Sequence, residues 1–253
     1  MNFKELYDRL DNICSKDLSC EWDNDGIMCM PDPMQTVKKV LISLDITEDV
    51  VDFAIKNRFD TIISHHPLVF NSQKSLSVEK FTQRKLIKLV KANINAMSFH
   101  TRLDAMNGGV NDTLCKVLEL TDVEKDVADP IGRIGYLKEK MSLQDFAKYV
   151  KDKLSSSCVL YSGDENVSRI YIVGGDGKDL ISNAIANGAD TLLTGRASYN
   201  TAIDACDMGL NIVEAGHFFT ENPVCDTLKN ILLDIDDSIE TNVYFSNKIE
   251  IIK

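Results

Sequence analysis

The period of the apolar positions changes repeatedly along this chain. Near the N-terminus Phe3, Leu6, Tyr7, Leu10 and Ile13 recur every three or four residues, which predicts an amphipathic helix of the mature domain and not a leader peptide. KKVLISLD (38–45) predicts a strand, TEDVVDFAIKNR (47–58) a helix with Val50, Val51, Ala54 and Ile55 inward, and DTIIS (60–64) a second strand. A helix over 78–93, a strand INAMSF (94–99) and a helix over 107–118 follow. Asp129-Pro130 reads as a break, after which the alternation restarts. Ser142 can N-cap a helix through Leu154, and RIYIVGG (169–175), ADTLLTG (189–195) and LNIVEAG (210–216) read as strands separated by helices near 178–187 and 198–208. Strands alternating with helices predict an α/β fold with mostly parallel sheets.

The second half resembles the first. FAIKNRFDTIISHH (53–66) aligns without gaps on NAIANGADTLLTGR (183–196), KANINAMSFHT (91–101) lies over DMGLNIVEAGH (207–217), and NDTL (111–114) over CDTL (225–228). The period is too long for a solenoid, so two α/β repeats are expected, 1–126 and 127–253. In parallel sheets the chemistry collects at the C-terminal ends of the strands.

At 253 residues the chain can bury the core of one large domain or two small ones. No apolar run approaches the roughly 20 residues of a membrane span, and with no leader pattern a cytoplasmic location is expected. Asp and Glu number 39 against 28 Lys and Arg, a formal net charge of −11 that argues against a nucleic-acid partner. The seven cysteines form no CxxC pair and read as reduced, mostly buried thiols.

The four histidines are more informative. His65 and His66 close DTIIS, His100 closes INAMSF and His217 closes NIVEAG; Asp104 lies four residues past His100, and Glu221 four past His217. One strand-end histidine usually caps or packs, but four at equivalent strand ends point to a shared site. His65, His66, Asp104, His217 and Glu221 are therefore the candidate metal ligands. Imidazole and carboxylate without thiolate suit Zn, Fe, Mn, Co or Ni. Neighbours in an extended segment project to opposite sides, so His65 and His66 call for two divalent ions, bridged by a carboxylate such as Glu221. His100 reads as a group that orients Asp104 or a bound water. GGDGKD (174–179) lacks the phosphate-loop and dinucleotide patterns and reads as a tight strand-to-helix turn. Trp22, the only tryptophan, sits among acids in EWDND (21–25), where an aromatic anchor and a substrate-facing role are both open.

Ser64-His65-His66-Pro67-Leu68, His100-Thr101-Arg102-Leu103-Asp104 with Gly108-Gly109-Val110-Asn111-Asp112, and Ala215-Gly216-His217 with Thr220-Glu221 resemble the motifs of the Nif-three-like family. These are the dinuclear metal centre hexameric proteins, widely labelled GTP cyclohydrolase 1 type 2 homologues. Glu21-Trp22-Asp23-Asn24, Leu44-Asp45 and Gly174-Gly175 extend the similarity over nearly the whole chain. The resemblance implies two intertwined, duplicated α/β lobes, and a toroidal homohexamer built as a trimer of dimers. It implies that His65 and Asp104 hold one ion, His66 and His217 the other, and that Glu221 bridges. It further implies a metal-dependent hydrolase acting on a small molecule such as a nucleotide, opening a guanine ring at C8 with release of formate, with Glu221 and His100 as catalytic groups. The competing expectation is a non-catalytic metal-binding, storage or scaffold protein. Two positions depart from the family: Asn200 follows Tyr199 where His is common, and Arg102 stands where Asn is common.

Overall fold

A computed structural model describes residues 1–163 and 166–250. The first half of the chain runs α1 (Phe3–Ile13), β1 (Gly26–Cys29), β2 (Lys39–Ser43), α2 (Glu48–Lys56), β3 (Thr61–Ser64), α3 (Phe81–Ala92), β4 (Asn95–Ser98), α4 (Thr101–Ala105), α5 (Val110–Val117) and β5 (Thr121–Lys125). The second half runs β6 (Arg133–Ser142), α6 (Leu143–Leu154), β7 (Val159–Tyr161), β8 (Asn166–Asp176), α7 (Ile181–Ala186), β9 (Thr191–Arg196), α8 (Tyr199–Asp207), β10 (Asn211–Glu214), α9 (His217–Glu221), α10 (Val224–Ile235) and β11 (Glu240–Tyr244). The fold is α/β, as the pattern predicts. No helix among the described residues is long and apolar enough to cross a membrane.

Two compact units are present. The first comprises Met1–Leu103 and Cys225–Lys248. Its five-stranded sheet has the order β1-β4-β3-β2-β11, with parallel pairing from β4 through β11 and β1 antiparallel on β4. Every residue of β3 and β4 is buried, which explains why the two read as short apolar runs and not as alternating strands. Thr47 caps α2 by accepting from the Val50 amide at 3.3 Å, and Val50, Val51 and Ala54 pack on Leu41, Ile62 and Ala96. Ile55 is 39 % exposed, contrary to expectation, because its helical angle falls at the edge of the Val50–Val51–Ala54 stripe. Asn2 and Glu5 form a reciprocal capping box on α1, whose Phe3, Leu6 and Leu10 are buried while Ile13 faces outward.

The second unit comprises Asp104–Val224 with the C-terminal residues from Ile249. Its six-stranded sheet has the order β5-β6-β8-β9-β10-β7. The strands β8, β9 and β10 are parallel, and antiparallel strands flank them. Their core gathers Tyr171, Leu192, Ile212, Ala202 and Ala205. Ser64 pairs with Ser43 in the first unit, and Thr194 with Val173 in the second. Both positions have moved by the same 130 residues, so the repeat seen in the sequence is a repeated parallel core: β2-α2-β3-α3-β4 and β8-α7-β9-α8-β10. The predicted helix over 107–118 begins only at Val110, because Gly108 takes φ +77° ahead of it.

Candidate metal centre

Three histidines converge at the C-terminal edge of the first sheet. β3 and β4 are neighbours in register, so residues just past Ser64 and Ser98 meet. His65, His66 and His100 have ring centroids 4.9, 5.2 and 5.6 Å apart, and one nitrogen from each ring lies within 4.8 Å of the others. His65 and His66 sit in a bend, closed by the Ser64 hydroxyl donating to the His66 carbonyl at 2.7 Å. The alternation expected of fully extended neighbours is relaxed there, which brings the adjacent rings close.

Each ring is tethered through Nδ1. His65 donates to the Phe99 carbonyl at 3.0 Å, His66 to Asp45 Oδ1 at 2.8 Å and His100 to Asp23 Oδ1 at 2.9 Å. Carbonyl and carboxylate oxygens accept only, so in the neutral ring the proton is on Nδ1 and the lone pair on Nε2. This is the tautomer and tether that metal-binding imidazoles use.

Asp23 also accepts from the Thr101 amide and hydroxyl, at 3.0 and 2.6 Å. Burial would raise its pKa, but the hydrogen bonds from His100 and Thr101 outweigh it and hold the carboxyl well below the usual carboxylate range. Asp25 accepts from Arg102 Nε at 3.0 Å, and both side chains are fully buried. Arg102 also donates to Asp11 at 2.6 Å and to the Cys14 carbonyl at 2.9 Å, with its guanidinium 4.5 Å from the Phe99 ring centroid. Trp22 is 64 % exposed and stands edge-on to His100 at 6.2 Å and against Phe70 at 6.1 Å.

The second unit carries the remaining candidates. In α9, His217 Nε2 and Glu221 Oε2 are 2.9 Å apart across one helical turn. A carboxylate oxygen of Asp104 lies within 4.8 Å of one of Glu221, and both residues are buried. Asn111 donates to the Asp104 carbonyl at 3.3 Å and accepts from the Gly174 amide at 2.7 Å. Gly174-Gly175 belongs to the end of β8 and not to a loop beyond it. An alanine Cβ at Gly175, where φ is +69°, would lie 2.1 Å from Glu221 Oε1, so only glycine lets this backbone approach the carboxylate.

This donor set fits divalent cations of the Zn, Fe, Mn, Co and Ni type. It offers tethered imidazoles beside one another in one unit, and an imidazole with two buried carboxylates in the other. Two such carboxylates repel unless a cation compensates them. Among the described residues no cysteine belongs to these donor groups, and burial pushes the Cys29 thiol up to about 11 and that of Cys115 up to about 12. Sequence spacing gives no sign of the roles of Asp23, Asp45 and Arg102. The only sequence signal for the two carboxylates was their place in the resembling segments EWDN and Leu44-Asp45.

The family model of Duf34/NIF3 (NGG1p interacting factor 3) matches residues 1–250. A curated Clostridium perfringens protein named GTP cyclohydrolase 1 type 2 homolog is 32 % identical, covering 97 % of this chain and 95 % of its own. Among solved structures, a Bacillus cereus protein related to NIF3 has the same fold with TM-score 0.91 at 24 % identity, covering 100 % of this chain and 99 % of that one. A Staphylococcus aureus hypothetical protein superposes with TM-score 0.90 at 26 % identity over 100 % and 99 % of the two chains.

Proposed function

The chain belongs to the Duf34/NIF3 family, and on that premise we propose that it is a dinuclear metal protein and a metal-dependent hydrolase resembling GTP cyclohydrolase 1 type 2. His65 and Asp104 would hold one divalent ion, His66 and His217 the other, with Glu221 shared between them. The observation that carries this reading is the trio His65, His66 and His100, each tethered at Nδ1 with its lone pair on Nε2. When bound, two such ions supply Lewis acidity and lower the pKa of water toward neutrality. His100, backed by the Asp23 carboxylate, is positioned to carry a proton to or from substrate, and Glu221 is the second catalytic group. The assembly we propose is a homohexamer, a trimer of dimers, acting in the cytoplasm on a small molecule such as a nucleotide.

Elemental analysis and anomalous scattering on protein reconstituted anaerobically with Zn, Fe or Mn test the first step. Two ions per subunit are expected; no ion after reconstitution sinks the reading. A panel of nucleotides, cyclic phosphates and amides tests the second. One observation favours a non-catalytic storage or scaffold role: His65, Asp104 and Glu221 are all buried, and closed coordination is the habit of structural sites. Loss of the oligomer in Glu221→Ala, with no turnover of any substrate by wild type, would decide for that role.

A further inference from the structure

A cavity of about 710 Å³ opens in the first unit beside His66, within the size range of about 300–1,000 Å³ typical of small-molecule sites. Its walls include His66, Asp45, Lys80, Lys85, Phe70 and Phe81. Lys85 is unusual for this chain. Its neighbours on α3, Arg84 and Lys88, are paired with Glu48 and Asp52 at 2.5–2.7 Å. Lys85 is half-buried, makes one hydrogen bond, to the Ile46 carbonyl at 2.6 Å, and forms no ion pair among the described residues. Lys80, on the same wall, has no ion pair either. Neither ammonium has an ion pair among the described residues, and the attraction of Glu48 and Asp45 does not offset the burial of Lys85, which leaves room for an anion from outside. Burial depresses the Lys85 pKa, and an arriving anion would repay that cost. The wall's own carboxylates compensate only in part: Asp45 attracts Lys85 from a distance while accepting from His66, and the cavity's other acid, Glu79, is exposed.

We propose that Lys85, assisted by Lys80, grips a single oxyanion, phosphate or carboxylate, on a small aromatic body that lies against Phe70 and Phe81, and that this cavity is the substrate site beside His66. The assignment rests on the metal-dependent hydrolase reading and narrows it. An ammonium with two remaining N–H donors and one exposed lysine match one oxyanion, not the several charges of a triphosphate.

Isothermal titration of phenyl phosphate, benzoate, benzylamine and GTP into zinc-loaded and metal-stripped protein tests this. The expected result is binding of phenyl phosphate or benzoate but not benzylamine, with Lys85→Gln weakening it about tenfold or more in both metal states and Lys85→Arg recovering most of it. Gln removes the charge and shortens the side chain by one bond, and Lys85→Arg is the control that keeps charge and reach. If it fails to fold, Lys80→Gln, at an exposed position, must weaken binding at least about threefold. Lysine-dependent binding in a protein that takes up no metal sinks the hydrolase reading and keeps the oxyanion site. Metal uptake and turnover with affinity unchanged in Lys85→Gln, or benzylamine bound as tightly as benzoate, overturns the site alone. GTP bound tenfold tighter than phenyl phosphate through Lys85 overturns the single-oxyanion assignment.

Discussion

His66 donates through Nδ1 to Asp45 Oδ1 at 2.8 Å, and the bond is a consequence of strand register. Ser43 pairs with Ser64, and each of the two partners lies two residues past its strand end. A one-residue slip would separate them. The tether fixes the tautomer that presents Nε2, so Asp45→Ala should weaken divalent-ion affinity by roughly 10–100-fold. The Asp45 side chain is 44 % exposed, so thermal stability should move little. Competition with a chromogenic chelator measures the first and calorimetry the second; unchanged affinity would show that His66 is not oriented for a metal.

Gly175→Ala isolates the close approach to Glu221. The new Cβ would lie 2.1 Å from Oε1 at φ +69°, whereas Gly108, with φ +77°, has nothing within 4 Å of its Cβ position. Gly108→Ala should therefore cost only the left-handed backbone penalty, about 1–2 kcal/mol. Gly175→Ala should cost more and also lower metal content by displacing the carboxylate. Equal melting temperatures and equal metal content in the two variants would contradict that account.

Asp23 makes the first unit sensitive to acid. Although burial opposes it, the hydrogen bonds from His100 and Thr101 leave the folded-state pKa depressed. A depressed carboxyl contributes stability that is fully present above its unfolded value, about 3.9, and is lost as pH falls through the folded value. Urea midpoints at pH 7, 4 and 3 should fall steeply for wild type below pH 4. Asp23→Asn should start lower at pH 7 and fall less. Parallel curves for the two proteins would remove Asp23 from the acid response.

The parallel cores were legible because β3, β4, β9 and β10 are short, almost wholly buried runs separated by helix-length segments. The short helix α9 was not legible as a helix, since five residues cannot display a period; the spacing of His217 and Glu221 fits one helical turn or a tight loop alike. The flanking strand β5 is mostly exposed and polar, with none of the alternation that marks a half-buried strand. The tethers Asp23 and Asp45 lie 77 and 21 residues from their histidines. Such contacts leave no local pattern. They become visible only when sheet register brings distant strand ends together.

Arg102 is fully buried, and the structure gives its side chain a defined role. Its guanidinium binds Asp25 at 3.0 Å, Asp11 at 2.6 Å and the Cys14 carbonyl at 2.9 Å, tying α1 and the loop holding Asp23 to the residues after β4. An asparagine at this position could not span these acceptors. Arg102→Asn would leave Asp25 buried with its Ser19 hydroxyl, Lys16 and His100 amide contacts but without its buried cation. Breaking such a pair from one side costs about 3–5 kcal/mol, and Arg102→Lys should recover little because an ammonium lacks the planar fork. Removing both charges in Arg102→Asn with Asp25→Asn should be milder than Arg102→Asn alone, since no buried carboxylate is then left with the half-exposed Lys16 as its only cation. Denaturant unfolding of the three variants checks this ordering. A double variant less stable than Arg102→Asn would mean that Asp25 does its main work on Ser19 and the His100 amide and not on the guanidinium.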